Sequence, residues 1–135
     1  TEQEIELDTS IRKWERTPEN DPYKSGLESL ASHMEPMLDG HILKTAYNEF
    51  CYPAIEDAVG ELANENVTKI IIVTTMITRG GSHSEIEIPE ELKALRQKHS
   101  NIDIQYAWPF DIDAFALFLT THIKNASPLS AVKSN

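Results

Sequence analysis

The chain has 135 residues, 40% of them hydrophobic and 25% charged, with a formal net charge of −10. That length suits one soluble domain with a single core, and the acidic balance argues against nucleic acid or anionic membranes as partners, since both reward clustered Lys and Arg. A lone cysteine, Cys51, excludes an intramolecular disulfide or a thiolate metal cluster; no apolar run nears a bilayer span, and the acidic start Thr1-Glu2-Gln3-Glu4 is unlike a signal peptide, so a cytoplasmic protein is expected.

Residues 1–19 are atypical. Glu4-Ile5-Glu6-Leu7-Asp8 alternates like an exposed edge strand, whereas Ile11 and Trp14 fit a short helix begun by Asp8 or Thr9. Asp21-Pro22 reads as an N-cap followed by proline at the first helical position, with Leu27, Leu30, Ala31, Met34 and Leu38 at helical spacing until Asp39-Gly40 stops the helix. A strand is predicted from Ile42 to Phe50, with Glu49 near its end, and a helix from Pro53 carries Ile55, Ala58, Val59 and Leu62 on one stripe.

Lys69 to Ile77 is the most apolar run and predicts a parallel strand buried on both faces. Gly80-Gly81 ends it, and His83 falls in the loop beyond. A third helix is expected near Pro89, with Leu92 and Leu95 facing inward, ending around Lys98-His99-Ser100. Ile102 to Trp108 reads as another strand, and Asp111 caps a last helix bearing Phe115, Phe118, Leu119 and Ile123. Residues 127–135 read as a flexible tail.

Alternating strands and helices predict an α/β fold over residues 1–126, an open three-layer parallel sheet with helices on both faces. Three strands flanked by four helices make a thin sheet, so a strand is missing, replaced or supplied by another chain.

In such sheets ligands bind beyond the carboxyl ends of the strands. Glu49 and His83 occupy corresponding positions of successive βα units, so a carboxylate and an imidazole are expected at one edge. Together they suit a borderline divalent ion such as Fe²⁺, Co²⁺ or Ni²⁺, and both can carry protons. His33, His41, His99 and His122 read as surface residues, and Trp14 and Trp108 as core or interface aromatics, although Trp108 lies at the ligand-bearing edge.

Tyr47-Asn48-Glu49-Phe50-Cys51-Tyr52-Pro53-Ala54-Ile55-Glu56-Asp57-Ala58 resembles the FLEF-x-x-P-S-I-x-x-A segment of the short class II tetrapyrrole chelatases. These are the sirohydrochlorin cobalto- and ferrochelatases of cobalamin and sirohaem synthesis. Gly80-Gly81-Ser82-His83 through Ile88-Pro89-Glu90-Glu91-Leu92 is similar to their G-x-H-x-x-x-D-I-P-x-x-L loop, and Ala107-Trp108-Pro109-Phe110 to the segment before their last helix. The resemblance covers roughly Asp21 to Ile123.

It implies that Glu49 and His83 bind the incoming metal and relay protons. It also implies that Arg79, Gly81, Ser82 and Trp108 shape the substrate pocket, that no organic cofactor is needed, and that two copies pair as a homodimer. The chain departs from the family pattern where short chelatases open with an apolar strand ending in His-Gly-Ser or His-Gly-Thr. Spacing back from Glu49 puts that histidine's place near Arg16, in Trp14-Glu15-Arg16-Thr17-Pro18-Glu19. Glu87 stands where the family favours aspartate, a change expected to matter little. Basic residues to meet the eight carboxylates of sirohydrochlorin are scarce: Arg79, Lys44 and Arg16 are the candidates. The competing expectation is a non-catalytic relative that binds metal or tetrapyrrole, or an interaction module.

Overall fold

The computed structural model describes residues 1–48 and 52–126. Glu49, Phe50, Cys51 and the expected tail at 127–135 lie outside these described residues. The chain divides into two compact units, with the boundary after Ile70.

In the first unit, the acidic opening is helical: α1 runs Glu2–Arg12. This corrects both the edge strand expected at Glu4–Asp8 and the later helix start. Thr1 and Glu4 form a reciprocal capping box, and Asp8 holds Arg12 one turn on at 2.8 Å. An alternating pattern without a strand to pair with is overruled by such local bonds; Ile5 and Leu7 remain 67% and 63% exposed.

Helix α2, Pro22–Met34, starts as expected, with the Asp21 carboxylate accepting the Lys24 N–H at 3.0 Å. A 3-10 turn, Glu35–Met37, extends it, and Asp39 and Gly40 then take positive φ angles of 45° and 81° to turn the chain.

No strand forms over Ile42–Asn48. The only pairing there among the described residues is a parallel bridge between Tyr47 and Ala54, with the Tyr47 N–H donating to the Pro53 carbonyl at 2.9 Å. Tyr47 alone of this stretch is buried. Helix α3 occupies Ile55–Asn64, its start tied by the Asp57 carboxylate accepting the Ala54 N–H at 3.0 Å, and it buries Ala58 and Val59.

Strand β1 spans only Lys69–Ile72, across the boundary between the units, and pairs in parallel with β2, Asp103–Tyr106. The expected extension to Ile77 does not form, because β2 is itself four residues long and the last pairing bond runs from the Ala107 N–H to the Ile72 carbonyl at 2.8 Å. Burial in β1 alternates: Ile70 is 6% exposed and Ile71 59%, so the strand is not buried on both faces.

The second unit has its core on α4, Ile88–Lys98, which packs against β2. Ile88, Leu92 and Leu95 are buried there with Ile102 and Ile104, each apolar side chain contributing about 1.5–3 kcal/mol of transfer free energy. Arg96 ties helix to strand by donating its Nε–H to the Ile104 carbonyl at 2.9 Å. His99 caps the helix end, as expected. Helix α5, Ile112–Ala126, is capped by Asp111, which accepts the N–H groups of Asp113 and Ala114 at 3.0 and 3.2 Å. No residue of α5 is buried, and of the apolar residues it was expected to bear, Phe118 and Ile123 are 62% and 51% exposed. No helix among the described residues is long and apolar enough to cross a membrane.

Candidate functional site

Beyond β1 the chain turns at Thr74, whose hydroxyl accepts the Met76 N–H at 3.0 Å, and reaches Gly80 at φ +100°. That angle is strained for any residue bearing a Cβ, so this glycine is a backbone requirement. The next residues differ from the expected loop: His83–Glu87 wind as a π-helical turn that runs straight into α4, with the Ile88 N–H donating to the His83 carbonyl. Such turns are rare insertions into α-helices and gather at functional sites.

The turn is held from two sides. Ser84 is 1% exposed; its hydroxyl donates to the Gly81 carbonyl at 3.3 Å, and its own carbonyl accepts the Tyr106 O–H from β2 at 2.8 Å. The Gly81 carbonyl also receives the Glu85 N–H at 3.1 Å. His83 is thereby carried at the edge of the unit, its side chain 41% exposed, with Nδ1 paired to the Glu87 carboxylate one turn later. The longer side chain at position 87, expected to matter little, makes this contact.

Arg79 donates its Nε–H to Glu85 at 2.7 Å, and the other carboxylate oxygen of Glu85 accepts the Gly80 N–H at 3.0 Å. The Arg79 hydrogen bond, partly opposed by burial, holds the Glu85 carboxyl below the usual carboxylate range, and the Gly80 N–H adds to it. The Arg79 side chain is otherwise 70% exposed.

Trp108 is half-buried, stacked on Tyr106 at 6.0 Å and edge-on to Phe110 at 5.9 Å. Its buried indole N–H meets no acceptor in hydrogen-bond geometry among the described residues, yet lies near enough to Glu85 to help lower that carboxyl. The second unit therefore brings Arg79, Gly81, Ser82, His83 and Trp108 around one loop, with Gly81 and Ser82 exposed.

Glu49 lies outside the described residues. Among the described ones, no group of three or more His, Cys, Asp or Glu side chains is placed to hold a metal. Arg16 is turned to structural use: its guanidinium donates to the Ile11 carbonyl at 2.6 Å and meets Asp21 at 3.4 Å. Lys44 lies 3.5 Å from Glu61.

Ser84, Glu85 and Tyr106 carry no role in the sequence reading, and Glu87 enters it only as a departure expected to matter little. For Glu87 the signal was available, since it stands four residues after His83 and such pairs meet wherever the segment is helical.

The sequence profile described as CbiX matches residues 19–122. The chain belongs to the CbiX family. It is 31% identical over 72 residues to a sirohydrochlorin cobaltochelatase of Methanopyrus kandleri, covering 53% of this chain and 50% of that protein. It is 26% identical over 76 residues to a sirohydrochlorin ferrochelatase of Priestia megaterium, covering 56% of this chain and 28% of that one. The chain thus spans half or less of the relatives it matches. No solved structure matches. Both the Gly-Gly-Ser-His loop and the Trp108 segment fall within the CbiX match.

Proposed function

We propose that this chain inserts a divalent metal ion, Co²⁺, Fe²⁺ or Ni²⁺, into sirohydrochlorin or a closely related tetrapyrrole. The observation that carries the reading is His83, presented on a pinned π-helical turn beyond a parallel strand within a CbiX match. Metal insertion exchanges two pyrrole protons for one divalent ion. Holding the ion while water leaves, and accepting those protons, is work a histidine and a carboxylate divide between them. In this reading His83 and Glu49 are the metal ligands and proton acceptors, and the Nη groups of Arg79, with Ser82, meet substrate carboxylates. Gly81 leaves room for the macrocycle, and Trp108 borders it.

The reading takes residues 1–126 as one chelatase-like domain, its sheet covered by helices on both faces, working without an organic cofactor as a cytoplasmic homodimer. Sedimentation at micromolar concentration should give about twice the chain mass; a monomer overturns the pairing.

A second reading, a relative that binds metal or tetrapyrrole without turnover, is favoured by the stretch where the family's first histidine is expected, in which Arg16 bonds Ile11 and Asp21. Incubation with sirohydrochlorin and each metal, followed by the ring's absorption against a protein-free control, separates the two. Acceleration that His83→Ala and Glu49→Ala each largely remove is expected. No acceleration with any of the three metals sinks the chelatase reading.

A further inference from the structure

We infer that Glu87 is a positioning residue for His83: it accepts the Nδ1–H hydrogen bond, so that the proton sits on Nδ1 and Nε2 is the nitrogen offered to metal. This inference rests on the metal role of His83 proposed above.

The Nδ1 atom of His83 meets a carboxylate oxygen of Glu87 within the same π-helical turn. Both side chains are substantially exposed, at 41% and 53%, so the pair adds little to folding stability. Its consequence is orientational. The backbone beneath His83 is already set by the Tyr106 bond to Ser84, the Ser84 and Glu85 bonds to Gly81, and the buried Ile88 that follows. What remains variable at His83 is the side-chain rotamer and the tautomer, and the hydrogen bond at Nδ1 bears on both.

A neutral imidazole carries a single proton, and a carboxylate accepting it at one nitrogen makes the other the basic one. Histidines that bind metal ordinarily donate their second ring nitrogen to a carboxylate or carbonyl in this way, gaining basicity and a fixed direction. Glu87 is one methylene longer than aspartate and lies on the rim rather than in the core, so it is placed for this task and not for packing.

Multiple-bond ¹H–¹⁵N correlation on histidine-labelled protein, recorded at about pH 9 where an ordinary imidazole is neutral, reads the tautomer directly. His83 is expected to be protonated at Nδ1 in the parent protein and at Nε2 in Glu87→Ala, its signals identified by their loss in His83→Ala. Titration with Co²⁺ alone should show about a 10- to 100-fold weaker affinity in Glu87→Ala and a smaller loss in Glu87→Gln, with no further loss when Glu87→Ala is added to His83→Ala. Far-ultraviolet circular dichroism checks that each variant is folded. An Nε2-protonated His83 in the parent overturns the inference, as does an unchanged Co²⁺ affinity in Glu87→Ala where His83→Ala weakens it. If His83→Ala leaves Co²⁺ affinity unchanged, the metal role of His83 falls and takes this inference with it, a result distinct from silence at Glu87 alone.

Discussion

Tyr106 does more for the candidate site than its place in a strand suggested. Its hydroxyl donates to the Ser84 carbonyl across 22 positions of sequence, and its ring carries Trp108. Burial, aided by the nearby charge of Glu85, raises its pKa above the ordinary tyrosine value. The sign follows from which form the fold favours: the neutral phenol is preferred, so the stabilisation is present below the unfolded pKa and is lost as pH rises through the raised folded one. In ultraviolet titration, the component missing from Tyr106→Phe should therefore ionise above the ordinary tyrosine value; a midpoint at or below that value would contradict the burial of its hydroxyl. Tyr106→Phe should also cost about 1 kcal/mol in denaturant unfolding, since the Ser84 carbonyl loses its partner. His83 was legible in sequence, because glycines after an apolar run mark a strand end. Tyr106 and Ser84 were not, because hydroxyl and carbonyl meet only once β2 lies beside β1.

At the level of elements, helices opened by Asp21 and Asp111 were legible, whereas the strands expected from Lys69 and Ile102 form but are shorter than expected, and none forms over Ile42–Asn48. Asp21 both caps α2 and meets Arg16, so Asp21→Ala should destabilise by more than the usual ~1 kcal/mol of a lost cap, measured by thermal unfolding. A loss well below that value would show that the Arg16 contact contributes nothing. Leu92, with 0% exposure on the inner face of α4, was correctly read as inward-facing. Leu92→Ala is expected to cost about 2–5 kcal/mol, against a much smaller effect of the same change at exposed Leu117. The misread elements share one cause. Alternation at Glu4–Asp8, the stretch from Ile42 and the β-branched run that ends at Ile77 state what a strand would accept, but a strand exists only where a neighbour supplies its ladder. At α1 the local capping bonds decided instead, and at His83 helical winding began well before Pro89.

On the scale of the whole chain, the net charge of −10 has a consequence for the proposed octacarboxylate substrate. Long-range repulsion should slow its approach, so the association rate with sirohydrochlorin, followed by fluorescence, is expected to rise as salt increases from about 10 to 150 mM and the Debye length shortens to about 8 Å. A rate that falls with salt would instead place an effective cationic cluster at the site, centred on Arg79. By itself the sequence determined the family, the α/β class, the caps at Asp21 and Asp111, the inward stripe of α4 and the segment past β1 that carries His83. Those are written in residue type and local spacing, and their physics acts within a turn or two of chain. Only the tertiary structure decided how long each strand is, that Arg16 is spent on Ile11 and Asp21, and that Tyr106 braces the turn. It also decided that the loop at His83 is a π-helical turn on which Glu87 meets the imidazole. Such features depend on which groups come within hydrogen-bonding reach once the backbone is wound and the strands are paired, which local spacing permits but does not decide.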